Sequence, residues 1–169
     1  MADSTVRRDL REATLTIYDE SETASVAVII GTGNVTWTVN TPNEYETDRG
    51  AIETGTVKAG DEQPLDINIT CRYIDVISSG SELVTPYEAV YGIEGAAAWD
   101  SVGADPCEPF ATKIEIVWDP ACTGGGTPKI DETVVFAEFR PDSCAFDPDA
   151  GTLVITGKSK EVHPTVTRG

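Results

Sequence analysis

The chemistry open to this chain is bounded by one histidine, His163, and four cysteines at 71, 107, 122 and 144. Any Ser-His-Asp or Cys-His relay would have to run through His163. That residue stands directly before Pro164, near the end of the sequence, where an extended surface tail is expected rather than a catalytic relay. Cys107, Cys122 and Cys144 could join His163 around a metal, but no pair has C-x-x-C spacing and the intervals match no zinc pattern. Cys71 lies inside an alternating apolar run and reads as a small core residue. Cys107 and Cys122 flank one expected strand, and a bridge between them would stabilise by about 3 kcal/mol in the chain-entropy model. A reducing cytosol disfavours that bridge.

The glycine and acid motifs are no more reactive. Gly31-Thr32-Gly33 follows an apolar run, but Thr36 holds the third glycine position of a dinucleotide fingerprint. The residues after it alternate as a strand, so a hairpin turn is expected. Asp147-Pro148-Asp149-Ala150-Gly151 begins like a calcium loop. Its glycine comes one place early and Lys158 stands where the bidentate Glu belongs, so a turn between strands is expected. Asn34-Val35-Thr36 and Asn68-Ile69-Thr70 are glycosylation sequons, expected to be unused because Met1–Ala13 is no secretory signal. The reading is of a non-enzyme with no cofactor and no metal. Carboxylate-only hydrolysis is the one enzymatic class that composition leaves open.

Charge says more than any motif. Twelve Lys/Arg stand against 29 Asp/Glu, a formal net charge of −17. Such a field repels nucleic acid and opposes self-association unless buried contacts outweigh it. The basic residues are scattered, except for Arg7, Arg8 and Arg11 near the N-terminus. That group reads either as a solvated arm or as a cationic arm docking on an acidic neighbouring copy. The longest apolar stretch, Val26–Ile30, is far short of the roughly 20 residues of a spanning helix, and no membrane partner is expected.

The elements that position these residues are mostly strands. Leu15 and Ile17, Val26 and Val28, Val35 and Trp37, Leu65 to Tyr73, and Ile114 to Trp118 all alternate with polar residues. Val134, Phe136 and Glu138 are expected to oppose Val135, Ala137 and Phe139, and a last run starts at Leu153 and heads toward Val162. Period two means half-buried antiparallel strands, so the fold class is mainly β, an antiparallel β-sandwich or barrel. One short flanking helix is expected at about 86–94, where Thr85-Pro86-Tyr87-Glu88 is a capping box with Pro at the first helical position. A long loop is expected at about 40–64, whose middle, Ala51–Lys58, could pair weakly as a strand. Loops of that length are usually functional or interfacial. Residues 99–109 and 120–128 are expected as further loops. At 169 residues the chain is read as one domain over 1–169, with arms at 1–11 and 163–169.

Two stretches carry a resemblance. The run from Asp48-Arg49-Gly50 through Gly60-Asp61-Glu62-Gln63-Pro64-Leu65 resembles the long loop of the tail tube (major tail) proteins of long-tailed bacteriophages. Phe139-Arg140-Pro141-Asp142, followed by Asp149 to Lys158, resembles that family's closing hairpin. The resemblance implies a small β-sandwich-like barrel with a flanking helix, related in fold to the inner-tube protein of type VI secretion. It implies stacked, usually hexameric rings whose lumen conducts DNA without specific binding. The partners would be other copies and the tail proteins at the tube ends, in a virion tail assembled in the bacterial host cytoplasm. Candidate subunit-interface residues are Tyr45, Arg49, Ile52, Val57 and Lys58 of the loop, with Arg7 and Arg8 of the arm. Candidate lumen-facing acids are Asp66, Glu115 and Glu138, which would repel the DNA backbone. The alternative function is an immunoglobulin-like decoration or adhesin module, for which the long loop and capped helix are superfluous.

Overall fold

The computed structural model describes residues 13–48, 51–73, 75–78, 83–103, 105, 107–118 and 132–168, with backbone alone at 48 and 51–54. Period two in the sequence becomes β1 (Ala13–Tyr18), β2 (Ser25–Val28), β3 (Asn34–Thr38), β4 (Asn43–Asp48), β5 (Ala51–Ala59) and β6 (Leu65–Arg72). The helix α1 (Pro86–Tyr91) and a 3-10 turn (Glu94–Ala96) follow, then β7 (Thr112–Trp118), β8 (Glu132–Asp147), β9 (Thr152–Ser159) and β10 (Thr165–Arg168). One eight-stranded antiparallel sheet runs β2-β1-β7-β8-β9-β6-β3, with β10 beside β8. A separate two-stranded sheet holds β4 and β5.

The sheet curls but does not close into a barrel. β2 and β3 are its two outer strands, although only Ile29–Gly33 separates them in sequence. The turn expected there exists, with Gly33 N–H donating to Ile30 O at 2.8 Å, but it does not make a hairpin. β2 pairs with β1, and β3 pairs with β6. The pairing is decided by the preceding strand for β2 and by a strand some 30 residues on for β3, which the turn between them cannot signal. Arg72 N–H donates to Ile29 O at 2.8 Å and ties the end of β6 to the end of β2. A side chain at Gly33 would stand 1.9 Å from Thr70 O, so only glycine lets the chain pass here. A single curled sheet also differs from the two packed sheets of an immunoglobulin module.

The core lies in the concave face. Leu15, Ile17, Leu65, Ile69, Cys71, Ile114, Ile116, Phe136, Leu153 and Ile155 are each 1% exposed or less. Ala89 and Val90 of α1 join them. The helix is shorter than expected, ending at Gly92 in the left-handed conformation, with the 3-10 turn completing the segment. Its capping box is present as the sequence implied. Tyr87 of α1 packs edge-on against Tyr91 and Phe146 at the border of the core.

Phe139 corrects the simple alternation expected for β8. It shares the core with Phe136 because two residues of β8, Ala137 and Glu138, oppose one of β7, Lys113, with Thr112 pairing with Phe139 and Ile114 with Phe136. The extra residue flips the phase by one. Glu138, at φ 47°, takes the strained backbone conformation of this bulge. A second shift between Pro141 and Ser143 follows. β8 can therefore pair with β7 and β10 over its first half and with β9 over its second. The turn at Asp147–Gly151 joins β8 to β9 as expected, with Asp147 Oδ1 accepting from Asp149 and Ala150 N–H, both at 3.1 Å.

Candidate assembly surface

Most of the segment read as a long loop is strand. Its sequence alternates, Asn43-Glu44-Tyr45-Glu46 against Gly55-Thr56-Val57-Lys58. Tyr45 stands opposite Val57, Glu46 opposite Thr56 and Glu44 opposite Lys58. Gly60 N–H donates to Pro42 O at 2.9 Å and closes the base of the hairpin. One face carries the pair Tyr45 and Val57, 61% and 60% exposed. The other carries Lys58 Nζ on Glu46 Oε1 at 2.6 Å and Thr56 Oγ1 on Glu46 Oε2 at 3.1 Å. The Lys58 ammonium, then the Thr56 hydroxyl, hold the Glu46 carboxyl below its usual range.

Every side chain described in β4, and each from Thr56 to Ala59, is exposed. A two-stranded hairpin with neither face covered is marginal in water. The described part of this sheet thus lies open to solvent, with the aromatic–aliphatic pair Tyr45 and Val57 on one face. Of the interface candidates, Tyr45, Val57 and Lys58 all lie on this hairpin. Ile52 falls on β5, where only the backbone is described. Arg49, Arg7 and Arg8 lie outside the described residues, as does Cys122 and therefore its pairing with Cys107.

The three lumen candidates are on the large sheet, and each has a partner. Asp66 Oδ2 accepts from Asn40 Nδ2 at 2.7 Å, and its Oδ1 lies 3.1 Å from Lys158 Nζ. The Asn40 hydrogen bond, then Lys158, lower its pKa. Glu115 accepts a long hydrogen bond from Tyr18 at 3.5 Å. Glu138 meets Arg140 at 3.4 Å and Lys160 at 3.5 Å. Arg140 and Lys160 also bind Glu108, and Arg140 Nε donates to Pro109 O at 3.1 Å. Glu138, Arg140 and Lys160 thus clamp Glu108 and Pro109 to the β8 bulge. No sequence signal announces the clamp, because apart from Glu138 and Arg140 its members are separated by 20 or more positions.

The remaining outward face of β3, β6, β9 and β8 is rich in hydroxyls and amides. Thr36, Asn68 and Thr156 stand in register, and Ser143 Oγ lies 2.7 Å from Thr156 Oγ1. A shallow groove of about 210 Å³ there is lined by Thr36, Thr38, Asp66, Asn68, Asp142 and Thr156. The other chemical candidates stay apart. His163 is exposed on a bend, Cys71 is buried, and Cys144 sits half-buried. Burial, with the nearby Cys144, pushes the Cys71 thiol up to about 11. Among the described residues, no three His, Cys, Asp or Glu side chains are grouped to hold a metal ion. No described helix is long and apolar enough to cross a membrane.

Glu88 is the buried acid that sequence reasoning understated. It is 0% exposed. Its carboxylate accepts from Thr85 N–H at 2.8 Å, from Ser78 N–H at 3.0 Å, from Ser78 Oγ at 2.9 Å and from Gly95 N–H at 3.4 Å. Burial acts to raise its pKa, but these hydrogen bonds together outweigh burial and hold it below the usual carboxylate range. The capping box was legible, whereas the further grip on Ser78 and Gly95 was not.

No protein-family model matches the sequence, and no curated protein sequence matches it. The fold does match solved structures. One is a chain from the cryo-EM structure of an extracellular contractile injection system, a PVC sheath–tube complex in the extended state. It has a TM-score of 0.53 and 11% identity, covering 98% of this chain and 95% of that one. A second comes from the PVC sheath/tube terminator in the extended state, with a TM-score of 0.51 and 12% identity over 97% and 99%. At such identity the likeness is one of fold. It covers nearly the whole of both chains, and it defines this protein as having the fold of contractile injection system sheath–tube components.

Proposed function

We propose that this chain is a structural subunit of a tail-type tube, which assembles with copies of itself into stacked, hexameric rings. One observation carries the reading: a hairpin that presents Tyr45 and Val57 to solvent. The shared fold supports it. A chain of net charge −17 associates only through contacts that are apolar or charge-compensated, and the hairpin supplies the apolar kind. Rings would stack through this hairpin and through the arm bearing Arg7 and Arg8. Other tail components would meet the tube at its ends.

In a virion tail the lumen would conduct DNA. Asp66, Glu115 and Glu138 are the proposed lining acids, in a face otherwise made of hydroxyls and amides. With Asp66 and Glu138 paired in cis, such a wall presents few free cations to phosphate, so the polymer passes without adhering. The names of the matched structures favour a second reading, the tube of a contractile injection system outside a virion. Nuclease-protected DNA in assembled particles distinguishes the two, being present for a virion tail and absent for the injection device.

The assembly reading is tested by a Tyr45→Asp/Val57→Asp variant compared with the parent chain by sedimentation velocity. The expected result is loss of large assemblies with an unchanged β-sheet circular dichroism spectrum. Equal assembly by the variant would refute the role of this pair.

A further inference from the structure

We infer that the acceptor for the hairpin is the outer edge of β10 on a second copy, so that β4 of one chain adds a strand beside β10 of the next. The inference rests on the reading of the hairpin as an assembly element and names its partner. β10 pairs with β8 alone among the described residues, and all four of its residues are exposed. Among the described residues nothing pairs with its other edge, whose backbone N–H and C=O groups are a template for another strand. Proteins commonly blunt such edges with charge, proline or a bulge, yet Thr165-Val166-Thr167-Arg168 has strong strand formers and one cation.

Charge selects β10 over the other outer strands. β4 is acidic, with Glu44, Glu46 and Asp48 and no cation. β2 and β3 carry no charge, whereas β10 carries Arg168. The stretch before it adds Lys158 and Lys160 against Glu161 alone, the most basic run in the described part of a strongly acidic chain. Lys158, Lys160 and Arg168 are 50%, 56% and 68% exposed, so a second carboxylate can reach them alongside their own partners. Arg168 donates through Nε to Glu132, and a guanidinium has further N–H donors.

The apolar surfaces agree. Val166 is 51% exposed, and Tyr45 and Val57 are more so. Strand addition would place Val166 beside Tyr45 on one face, where cross-strand aliphatic–aromatic pairs are favourable. The added strand also gives the hairpin a third neighbour, the minimum for a sheet that is stable in water.

The test mixes two differently tagged full-length chains, one Tyr45→Cys and one Val166→Cys, both with Cys107→Ser and Cys122→Ser. Mild oxidation of the mixed assemblies should give a disulfide-linked dimer carrying both tags. A second variant, Val166→Glu/Arg168→Glu, should raise the concentration needed for assembly roughly tenfold or more, equivalent to about 1.4 kcal/mol. Assembly of the parent without the mixed-tag dimer, and with the double-Glu variant unaffected, overturns the β4–β10 pairing and leaves the hairpin reading intact. A parent chain that stays monomeric at every concentration overturns both.

Discussion

The chain contains two β-structures built from the same alternating pattern, with opposite fates. In the large sheet, Leu65, Ile67, Ile69 and Cys71 of β6 are buried to 2% exposure or less in the shared core. In the hairpin, Tyr45 and Val57 meet across the same kind of ladder and stay 60% exposed or more. Their ionic contacts divide in the same way. The body holds Glu108, Glu138, Arg140 and Lys160 in a half-shielded cluster around a bulge, whereas Lys58 and Glu46 pair in open solvent. Period two announces a strand, but what covers the strand comes from elsewhere. For the body that is the same chain. For the hairpin we propose a second copy.

The largest effect should come from separating the two structures. Replacing residues 43–59 with a short glycine linker should abolish assembly and leave the body folded. Cys71 reports on the body, since it is buried and its thiol is pushed up to about 11. It should stay unreactive to thiol reagents in that variant, while exposed Cys107 reacts at once. Rapid labelling of Cys71 would show instead that the body depends on the hairpin.

Glu88→Ala should do the reverse, weakening the body and sparing the hairpin. It strands the N–H groups of Ser78, Thr85 and Gly95 in a buried site, at a cost of about 2–4 kcal/mol in denaturant unfolding. The pH dependence has a definite sign. The folded pKa of Glu88 lies below its ordinary value of 4.5, so the native state binds this proton less readily than the unfolded chain. Its contribution is complete above about pH 4.5 and is lost as pH falls through the folded value. The parent should therefore lose stability in that acid window, and Glu88→Gln should lose less over the same range.

Gly157→Ala should come next, at about 1–3 kcal/mol. Its Cβ would stand 2.3 Å from Arg140 O and 2.6 Å from the Phe139 ring, so the strand pair at the bulge would have to shift. Smallest is Lys58→Ala, which breaks an exposed pair and should leave the unfolding midpoint of the body unchanged. A clear drop would mean that the hairpin and the body are more tightly coupled than their packing indicates.

Much of the body was legible in the sequence for physical reasons. Strands that bury one face alternate strictly, as in β1, β6 and β7, and a capping box is local, so α1 could be placed from Thr85 to Glu88. Features that depend on distant partners were hidden. The turn at Gly31–Gly33 looked like a hairpin, but β2 pairs back with the preceding β1 while β3 pairs ahead with β6. Phe139 was expected on the face opposite Phe136 because a bulge leaves no mark on an apolar run. The clamp around Glu138 draws on Glu108 and Lys160, which nothing local connects. The hairpin was half legible: Ala51–Lys58 showed strand character, but β4 is short and polar and reads as loop until its partner is seen.

The central claim, that this chain builds a tube, is tested most directly by electron microscopy of the purified full-length protein over a rising concentration series. The account predicts rings or hollow tubes, lost in the Tyr45→Asp/Val57→Asp variant. A uniform monomer at the highest concentration, with the body folded, would contradict it.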